Sequence, residues 1–265
     1  MTGARPTPRA QPLGISDPAG TPTERAGTPK EEILSGIRRS LRRGPVDPET
    51  AAQLRARVAS HRRNLIPARA AALGHRAQVD LFVAMAEEVQ ATVARVASPA
   101  EVPDAVARYL SGENLPAELV MAPDPGLDAI PWAERPLLRI RRGRAEAEDA
   151  ASLTPAFAAI AETGTLLLIS GRATPTTLNF LPDTHIVVLR EEQVVATYED
   201  AWDRLCAHAE AQGGLPRTAN FITGPSRTAD IEQRLELGAH GPRRLHIVLV
   251  AGEAKTEDGG NPENG

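Results

Sequence analysis

Hydroxyl, guanidinium and imidazole side chains cluster between residues 223 and 242, around two glycine–proline turns. A guanidinium can form a fork of two hydrogen bonds to a carboxylate or a phosphate. Backbone N–H groups at the start of a helix lack partners and attract anions. The stretch therefore predicts a site for a small carboxylate or phosphate, with ligand-binding candidates Thr223, Gly224, Ser226, Arg227, Thr228 and His240.

Two predicted strands and one helical turn must position these side chains. Ala219–Thr223 reads as a short apolar strand that ends at Gly224, because the proline that follows cannot donate to a strand ladder. Ser226 is a good N-cap residue, so we expect a short helical turn to begin there. Residues 245–250 form a continuous apolar run, which is typical of a fully buried strand.

A second hydroxyl-containing turn follows another predicted strand. The apolar run Thr165–Ile169 predicts a central strand, and Ser170 and Gly171 follow it directly. Ligands in open α/β sheets bind beyond the carboxyl ends of the strands. We therefore expect Ser170 and Gly171 to line the same pocket as Arg227. The alternative for Arg227 is a surface ion pair with an acidic residue at position 230 or 232.

Two residues are catalytic candidates. His240 lies between glycines, which leave its imidazole accessible. Glu162 lies between a predicted helix, Pro155–Ala161, and the strand that begins at Thr165, and this is the amino end of that strand. The other histidines are interpreted as solvated helix residues or as core and edge residues of strands. Spacings typical of zinc sites, P-loops and dinucleotide sites are absent from the sequence, so we expect no metal site.

Four sequence blocks resemble one family across roughly residues 30–250. They are ETGTLLLISG, LPDTHIVVL, TGPSRTADIE and LGAHGPRRLHIVLV. In these blocks the chain is similar to the lactate utilization protein C family, the LUD-domain proteins. The resemblance implies a fold like that of ribose-5-phosphate isomerase, glucosamine-6-phosphate deaminase and CoA transferases. Because a glutamate is the nucleophile of CoA transferases, the resemblance is a second reason to consider Glu162.

The resemblance also implies a place in a system that oxidises L-lactate to pyruvate. The sequence contains one cysteine, Cys206, whereas an iron–sulfur cluster commonly takes four. We therefore expect no cofactor in this chain and iron–sulfur clusters in cysteine-rich partner subunits. The favoured function is that of an accessory subunit of this system. The alternative is a stand-alone enzyme of the same superfold that acts on a phosphorylated or CoA-linked small acid.

The remaining patterns predict one α/β domain, at 67–252, preceded by an N-terminal helical extension at 28–66. Residues 1–27 and 253–265 have compositions typical of disorder. From residue 91 onward, strand and helix patterns alternate, which predicts a mostly parallel twisted sheet with helices on both faces. Thr28 starts a helix whose apolar stripe packs either on its own domain or on a partner.

Charge and hydropathy exclude two classes of partner. The N-terminal third is rich in arginine, but aromatic residues make up 3% of the chain, and no stacking motif accompanies the arginines. We therefore expect no nucleic-acid partner. No apolar run approaches the ~20 residues that span a bilayer, and we expect a cytoplasmic protein without a membrane span.

Overall fold

The computed structural model describes residues 28–42, 44–60, 62, 63, 66, 68–229 and 235–252. The chain forms two compact units that divide after residue 61, and each is described by itself. The disorder expected for residues 1–27 and 253–265 concerns residues outside the described ranges. Within those ranges, no helix combines the length and the apolar character that crossing a bilayer requires.

The first unit contains two helices, α1 (Pro29–Ser40) and α2 (Pro48–Ala59). The predicted capping box begins α1, since the Thr28 N–H donates to the Glu31 carboxylate at 2.7 Å and the Glu31 N–H donates to the Thr28 hydroxyl at 3.4 Å. Neither helix contains a buried residue, and the apolar stripe of α1 is exposed at Ile33, Leu34, Ile37 and Leu41.

The second unit contains the α/β fold. Its helices are α3 (Ala68–Ala71), α4 (His75–Glu88), α5 (Val102–Gly112), α6 (Pro125–Asp128), α7 (Thr177–Phe180) and α8 (Tyr198–Gln212). Its strands are β1 (Thr92–Val96), β2 (Glu118–Met121), β3 (Arg139–Arg142), β4 (Ala151–Pro155), β5 (Ala158–Ile160), β6 (Thr165–Ile169), β7 (Thr184–Arg190), β8 (Val194–Val195), β9 (Ala219–Ile222), β10 (Arg227–Ala229), β11 (Leu235–Leu237) and β12 (Arg244–Val250).

Six strands form the main sheet in the order β1-β12-β7-β4-β2-β3, and every neighbouring pair is parallel. Alternate residues of β12 face opposite layers. Ile247 packs in the same apolar cluster as Phe82 of α4, whereas Val248 packs with Val106 of α5. The predicted mostly parallel sheet with helices on both faces is confirmed.

Four strands form a smaller sheet in the order β8-β5-β6-β9, which the sequence did not predict. β6 pairs antiparallel with both β5 and β9, so it is not a central strand of the parallel sheet. The helix predicted at Pro155–Ala161 is wrong, because these residues end β4 and form β5. Ala158, Ala159 and Ile160 are all buried, and pairing with β6 overrides the helix propensity of alanine.

The helical turn predicted to begin at Ser226 is also wrong. Residues Arg227–Ala229 form β10 and pair antiparallel with Leu235–Leu237 of β11. The backbone of Ser226 continues this hairpin, since its carbonyl accepts from the Gly238 N–H at 2.9 Å. Its own N–H donates to the Pro242 carbonyl at 2.8 Å. Because a strand and not a helix follows Ser226, its side chain has no helix to cap.

Candidate functional site

The hairpin cavity, a space of about 380 Å³, lies beside the β10–β11 hairpin at the amino ends of β7 and β12. Asn179, His185, Thr223, Ser226, Arg227 and His240 are among the residues that line it. The structure therefore brings Ser226, Arg227 and His240 together, as expected. It places them at the amino ends of the main sheet, however, and not in the expected crevice at the carboxyl ends. Thr228 follows in β10, and its side chain lies outside what the structure describes.

A hydrogen bond from a backbone N–H to a side-chain hydroxyl joins the two loops of the hairpin cavity. The His240 N–H donates to the Ser226 hydroxyl at 3.3 Å. Arg227 and His240 are both exposed, which places them at the opening of the cavity. The alternative partners of Arg227, at positions 230 and 232, lie outside the described residues. The arrangement gives the opening a guanidinium that can reach an anion.

Thr223 and Gly224 have contacts of their own within the protein. The Thr223 hydroxyl lies 2.7 Å from the Thr165 hydroxyl, which in turn lies 3.1 Å from the Tyr198 hydroxyl. Gly224 has a φ of +70°, and a Cβ there would lie 2.3 Å from the Val89 carbonyl oxygen. Gly224 therefore allows this turn to approach the end of α4 closely.

Ser170 and Gly171 do not line the hairpin cavity, so the single pocket predicted from the sequence is wrong. Because β6 and β9 are antiparallel, Ile169 pairs with Ala219 at one end of the small sheet. Thr223 lies at the other end, beside Thr165. The two strand ends that were expected to meet therefore point in opposite directions.

Ser170 and Gly171 line a second space, which we call the edge cavity. It measures about 470 Å³ and lies beyond the carboxyl ends of β2, β4, β7 and β12. The chain runs from β2 outward to β3 and then returns past β2 to β4, so strand order reverses here. Such a reversal is the usual place for a ligand in an open α/β sheet. Its polar lining includes Asp124, Ser170, Arg172, Arg190, Gln193 and His208.

Several polar groups of the edge cavity are already bonded within the protein. The Ser170 hydroxyl accepts from the Thr218 N–H at 2.8 Å, and Gly171 and Thr174 exchange two backbone hydrogen bonds. The Asp124 carboxylate accepts from the Gly126 N–H at 2.9 Å at the start of α6. Arg172 is exposed, so its guanidinium is open to a ligand in this space.

His208 was interpreted from the sequence as a solvated helix residue, but it is half-buried in the wall of the edge cavity. Its ring packs edge-on against Phe157, with ring centroids 5.2 Å apart. Its spacing in the sequence could have indicated this position. His208 follows the buried Leu205 by three residues and therefore shares its face of α8.

Glu162 lines neither the hairpin cavity nor the edge cavity. Its carboxylate accepts from the Tyr198 N–H at 3.0 Å, and Tyr198 is the first residue of α8. The first N–H groups of a helix lack backbone partners and favour negative charge. The contact gives Glu162 a capping role next to the Thr197 capping box.

We expect Glu162→Ala to lower the free energy of unfolding by about 1 kcal/mol, the usual effect of losing a helix cap. Glu162→Gln keeps an acceptor oxygen and should retain most of that stability. Urea unfolding of both variants tests this. A catalytic carboxylate would be favoured instead by two results together: Glu162→Gln loses catalytic activity, and Glu162→Ala keeps the wild-type free energy of unfolding.

Two histidines in strands of the main sheet have buried side chains. His185 is fully buried with its Nε2 at 2.8 Å from the Thr154 hydroxyl, and burial lowers its pKa to about 3. His246 stacks on Tyr109 with ring centroids 3.8 Å apart, and burial lowers its pKa to about 4. Burial also raises the pKa of Tyr109 to about 12. Among the described residues, the His185 Nδ1 and the His246 Nε2 have no hydrogen-bond partner.

Metal ligation has no candidate in the described ranges, where no group of three or more His, Cys, Asp and Glu side chains could hold an ion. The fold, the hairpin cavity and the edge cavity define an open α/β protein with room for ligands at both ends of its main sheet. Residues 79–250 match the LUD domain family model, and the chain belongs to this family, which confirms the resemblance seen in the sequence.

Curated relatives carry the name lactate utilization protein C. The one from Deinococcus radiodurans is 37% identical over 161 residues, which are 58% of this chain and 70% of that protein. Those from Geobacillus sp. (strain WCH70) and Geobacillus thermodenitrificans are 37% and 36% identical over 91 and 111 residues. The matches cover 34% and 41% of this chain and span less than half of those two relatives, 38% and 46%.

A crystal structure of a DUF162 family protein from Deinococcus radiodurans is similar to this fold. Its TM-score is 0.51 at 28% sequence identity, and the match covers 67% of this chain and 99% of that one. The similarity supports the α/β assignment across most of the second unit.

Proposed function

We propose that this chain is an accessory subunit of an iron–sulfur system that oxidises L-lactate to pyruvate. The observation that carries the proposal is membership of the LUD domain family together with relatives named lactate utilization protein C. The sequence has one cysteine, Cys206, so a cluster with four cysteine ligands would need cysteines from partner subunits. In this proposal the cysteine-rich partners hold the clusters, and the complex works in the cytoplasm.

The part of this chain in that system is to bind a small carboxylate or phosphate in the hairpin cavity. Arg227 at the opening supplies a guanidinium, and its charge favours an anion. The contact between Ser226 and the His240 N–H fixes the second loop beside it. A charged hydrogen bond of this kind contributes about 1.5–3 kcal/mol to binding.

The alternative function is a stand-alone enzyme that acts on a phosphorylated or CoA-linked small acid. The edge cavity favours it, because this space lies where strand order reverses and carries Arg172 and Arg190 for an acidic group. Apolar lining residues such as Leu127 and Val250 would contact the body of such a ligand.

The test is reconstitution with cysteine-rich iron–sulfur subunits from the same organism, followed by lactate-dependent dye reduction. We expect the isolated chain to contain no stoichiometric iron and not to oxidise lactate. Leaving it out should reduce the activity of the mixture at least about tenfold, a loss of ~1.4 kcal/mol. Full activity without this chain, or an iron chromophore in the isolated chain, would refute the proposal. Turnover of a phosphorylated or CoA-linked acid by the isolated chain would favour the alternative.

Arg227→Ala tests the anion site within the same mixture. We expect activity to fall about ten- to a hundredfold, since the variant loses a charged hydrogen bond of ~1.5–3 kcal/mol. Arg217→Ala is the matched control, because Arg217 is also exposed but lines neither cavity. Both variants should keep their melting temperature. Equal activity of the two variants would show that Arg227 does not bind the anion.

A further inference from the structure

The apolar stripe of α1 is uncovered in the part of the chain that the structure describes. Ile33, Ile37 and Leu41 are 64%, 50% and 58% exposed, and α1 and α2 contain no buried residue. Among the described residues, the two helices do not pack extensively on each other. A helix of 12 residues is marginal in water by itself, and exposed apolar surface of this kind marks an interface. The stripe therefore calls for a partner surface.

The stripe has the same spacing in both directions along the helix. Ile33 and Leu41 each lie four residues from Ile37, one before it and one after it. Residues four apart share one face of an α-helix. Two copies of α1 that run antiparallel, with Ile37 opposite Ile37, therefore place Ile33 of each copy beside Leu41 of the other. A two-fold symmetric dimer requires a surface that matches itself in this way.

The charges of α1 also complement a reversed copy. Glu31 and Glu32 are in the first turn of the helix, and Arg38 and Arg39 are in its last turn. In an antiparallel pair, the acidic first turn of each helix lies beside the basic last turn of the other. A parallel pair would bring like charges together. Arg38 flanks the stripe on the same side as Glu31, because residues seven apart are nearly aligned on a helix.

The same charges disfavour two other surfaces. An anionic lipid surface or an acidic protein groove would attract the arginines but repel Glu31 and Glu32 at the other end of the helix. A second copy of α1 suits both ends of the helix at once.

α2 supplies further apolar area at helical spacing. Leu54 and Val58 lie four residues apart, and both are exposed. This addition matters because one pair of short helices is small beside the ~800 Å² per partner of a standard interface. Two antiparallel copies of α1 and α2 together would provide the four helices of a bundle.

We propose that α1 and α2 form a dimerisation module, in which the α1 stripe packs antiparallel on the same stripe of a second copy of this chain. The inference goes beyond the proposed function, since a dimer is compatible with an accessory subunit and with a stand-alone enzyme.

Sedimentation velocity of the full-length chain measures the association. We expect a dimer at ~50 μM protein that dissociates on dilution, because small interfaces bind weakly. Ile37→Lys places a charge at the centre of the stripe and should give a monomer at the same concentration. Leu137→Lys is the matched control, because Leu137 is 86% exposed but lies outside α1 and α2. A monomeric wild-type chain, or an Ile37→Lys variant that remains a dimer, would overturn the inference.

Arg38→Glu and Arg39→Glu test the arrangement of charges. Both place an acid in the last turn, so they change the net charge and the interaction with the helix dipole equally. Arg38 flanks the stripe, whereas Arg39 lies on the opposite face of α1. Arg38→Glu should raise the Kd of the dimer about tenfold more than Arg39→Glu, because each dimer contains the Arg38–Glu31 pair twice. Equal effects of the two substitutions would contradict the antiparallel pair.

Engineered disulfides report the direction of the two helices. In a Cys206→Ser background, Ile37→Cys should form a disulfide-linked dimer under a mild oxidant, since the two positions meet at the symmetry axis. Ile33→Cys should not link to itself, but it should link to Leu41→Cys when the two variants are mixed. A self-linked Ile33→Cys dimer would refute the antiparallel arrangement. A monomeric chain that binds anionic vesicles or another protein through α1 would assign the stripe to that partner and overturn the dimer.

Discussion

Gly164→Ala and Gly224→Ala should each lower the free energy of unfolding by about 3 kcal/mol or more, from left-handed backbone strain and overpacking together. Gly164 has a φ of +65°, and a Cβ there would lie 2.4 Å from the Ala86 backbone nitrogen. At Gly224, with a φ of +70°, the Cβ would lie 2.3 Å from the Val89 carbonyl oxygen. Both glycines touch the backbone at the end of α4, which cannot move as a side chain can.

Equilibrium urea unfolding measures these losses, with Gly112→Ala as the control. Gly112 ends α5, and a Cβ added there would have no heavy atom of the described residues within 4 Å beyond its chain neighbours and its own helix backbone. Alanine there should change the stability little or raise it by up to about 1 kcal/mol, the helix propensity difference. A Gly224→Ala variant as stable as the wild type would mean that the turn does not approach α4 closely. In that case Gly224 would return to consideration as a ligand-binding residue.

Local signals in the sequence predicted many elements of this fold. The helix start at Thr28 is a short-range pattern, and its capping box is present. The continuous apolar run at 245–250 predicted a fully buried strand, and β12 lies inside the parallel sheet. These features could be predicted because residues a few positions apart determine them.

Non-local pairing decided what the sequence could not predict. Ala158, Ala159 and Ile160 have no strand pattern of their own, and they form β5 because β6 pairs with them. The same small sheet reverses the direction of β6 relative to β9, which separates Ser170 from Arg227. In a single parallel sheet, Ser170 and Arg227 would lie at the same edge. The antiparallel pairing of β6 with β9 places them at opposite ends of the small sheet.

The wall of the hairpin cavity shows the same limit on individual residues. Asn179 was not considered as a site residue, and His185 was interpreted as a core or edge histidine. The burial of both side chains, and the absence of a partner for the His185 Nδ1 among the described residues, become visible only when the strands that surround them are known. Sequence patterns identified the residues at the opening, whereas the buried polar groups required the three-dimensional structure.

Mild acid should destabilise this protein strongly, because two buried histidines are neutral in the folded state. Burial lowers the pKa of His185 to about 3 and that of His246 to about 4. Their neighbours include the Thr154 hydroxyl, the Tyr109 ring and the nearby Arg244–Glu113 ion pair, whose atoms are 3.0 Å apart. The unfolded chain exposes both imidazoles, whose ordinary pKa is about 6.5.

The sign follows from which state binds more protons. Above pH ~6.5 both states hold neutral imidazoles, so the full stability is present. As the pH falls below that value, the unfolded state binds protons that the folded state excludes, and stability is lost down to the folded pKa values. Each histidine contributes up to about 1.4 kcal/mol per pH unit, so the loss from pH 6.5 to 5 is up to about 4 kcal/mol. That is a large part of the ~5–15 kcal/mol that stabilises a typical domain.

Urea unfolding at pH 7, 6 and 5 gives the slope of the free energy of unfolding against pH. We expect the number of protons taken up on unfolding to approach two at pH 5. His246→Gln should reduce that uptake by about one proton, whereas substitution of the exposed His75 should leave the curve unchanged. Acidic groups such as Asp104, whose pKa the Arg135 side chain lowers, act at lower pH and do not enter this window. A stability that does not change between pH 7 and 5 would mean that His185 and His246 take up protons in the folded protein. Their imidazoles would then have access to water or to an acidic partner in the folded state.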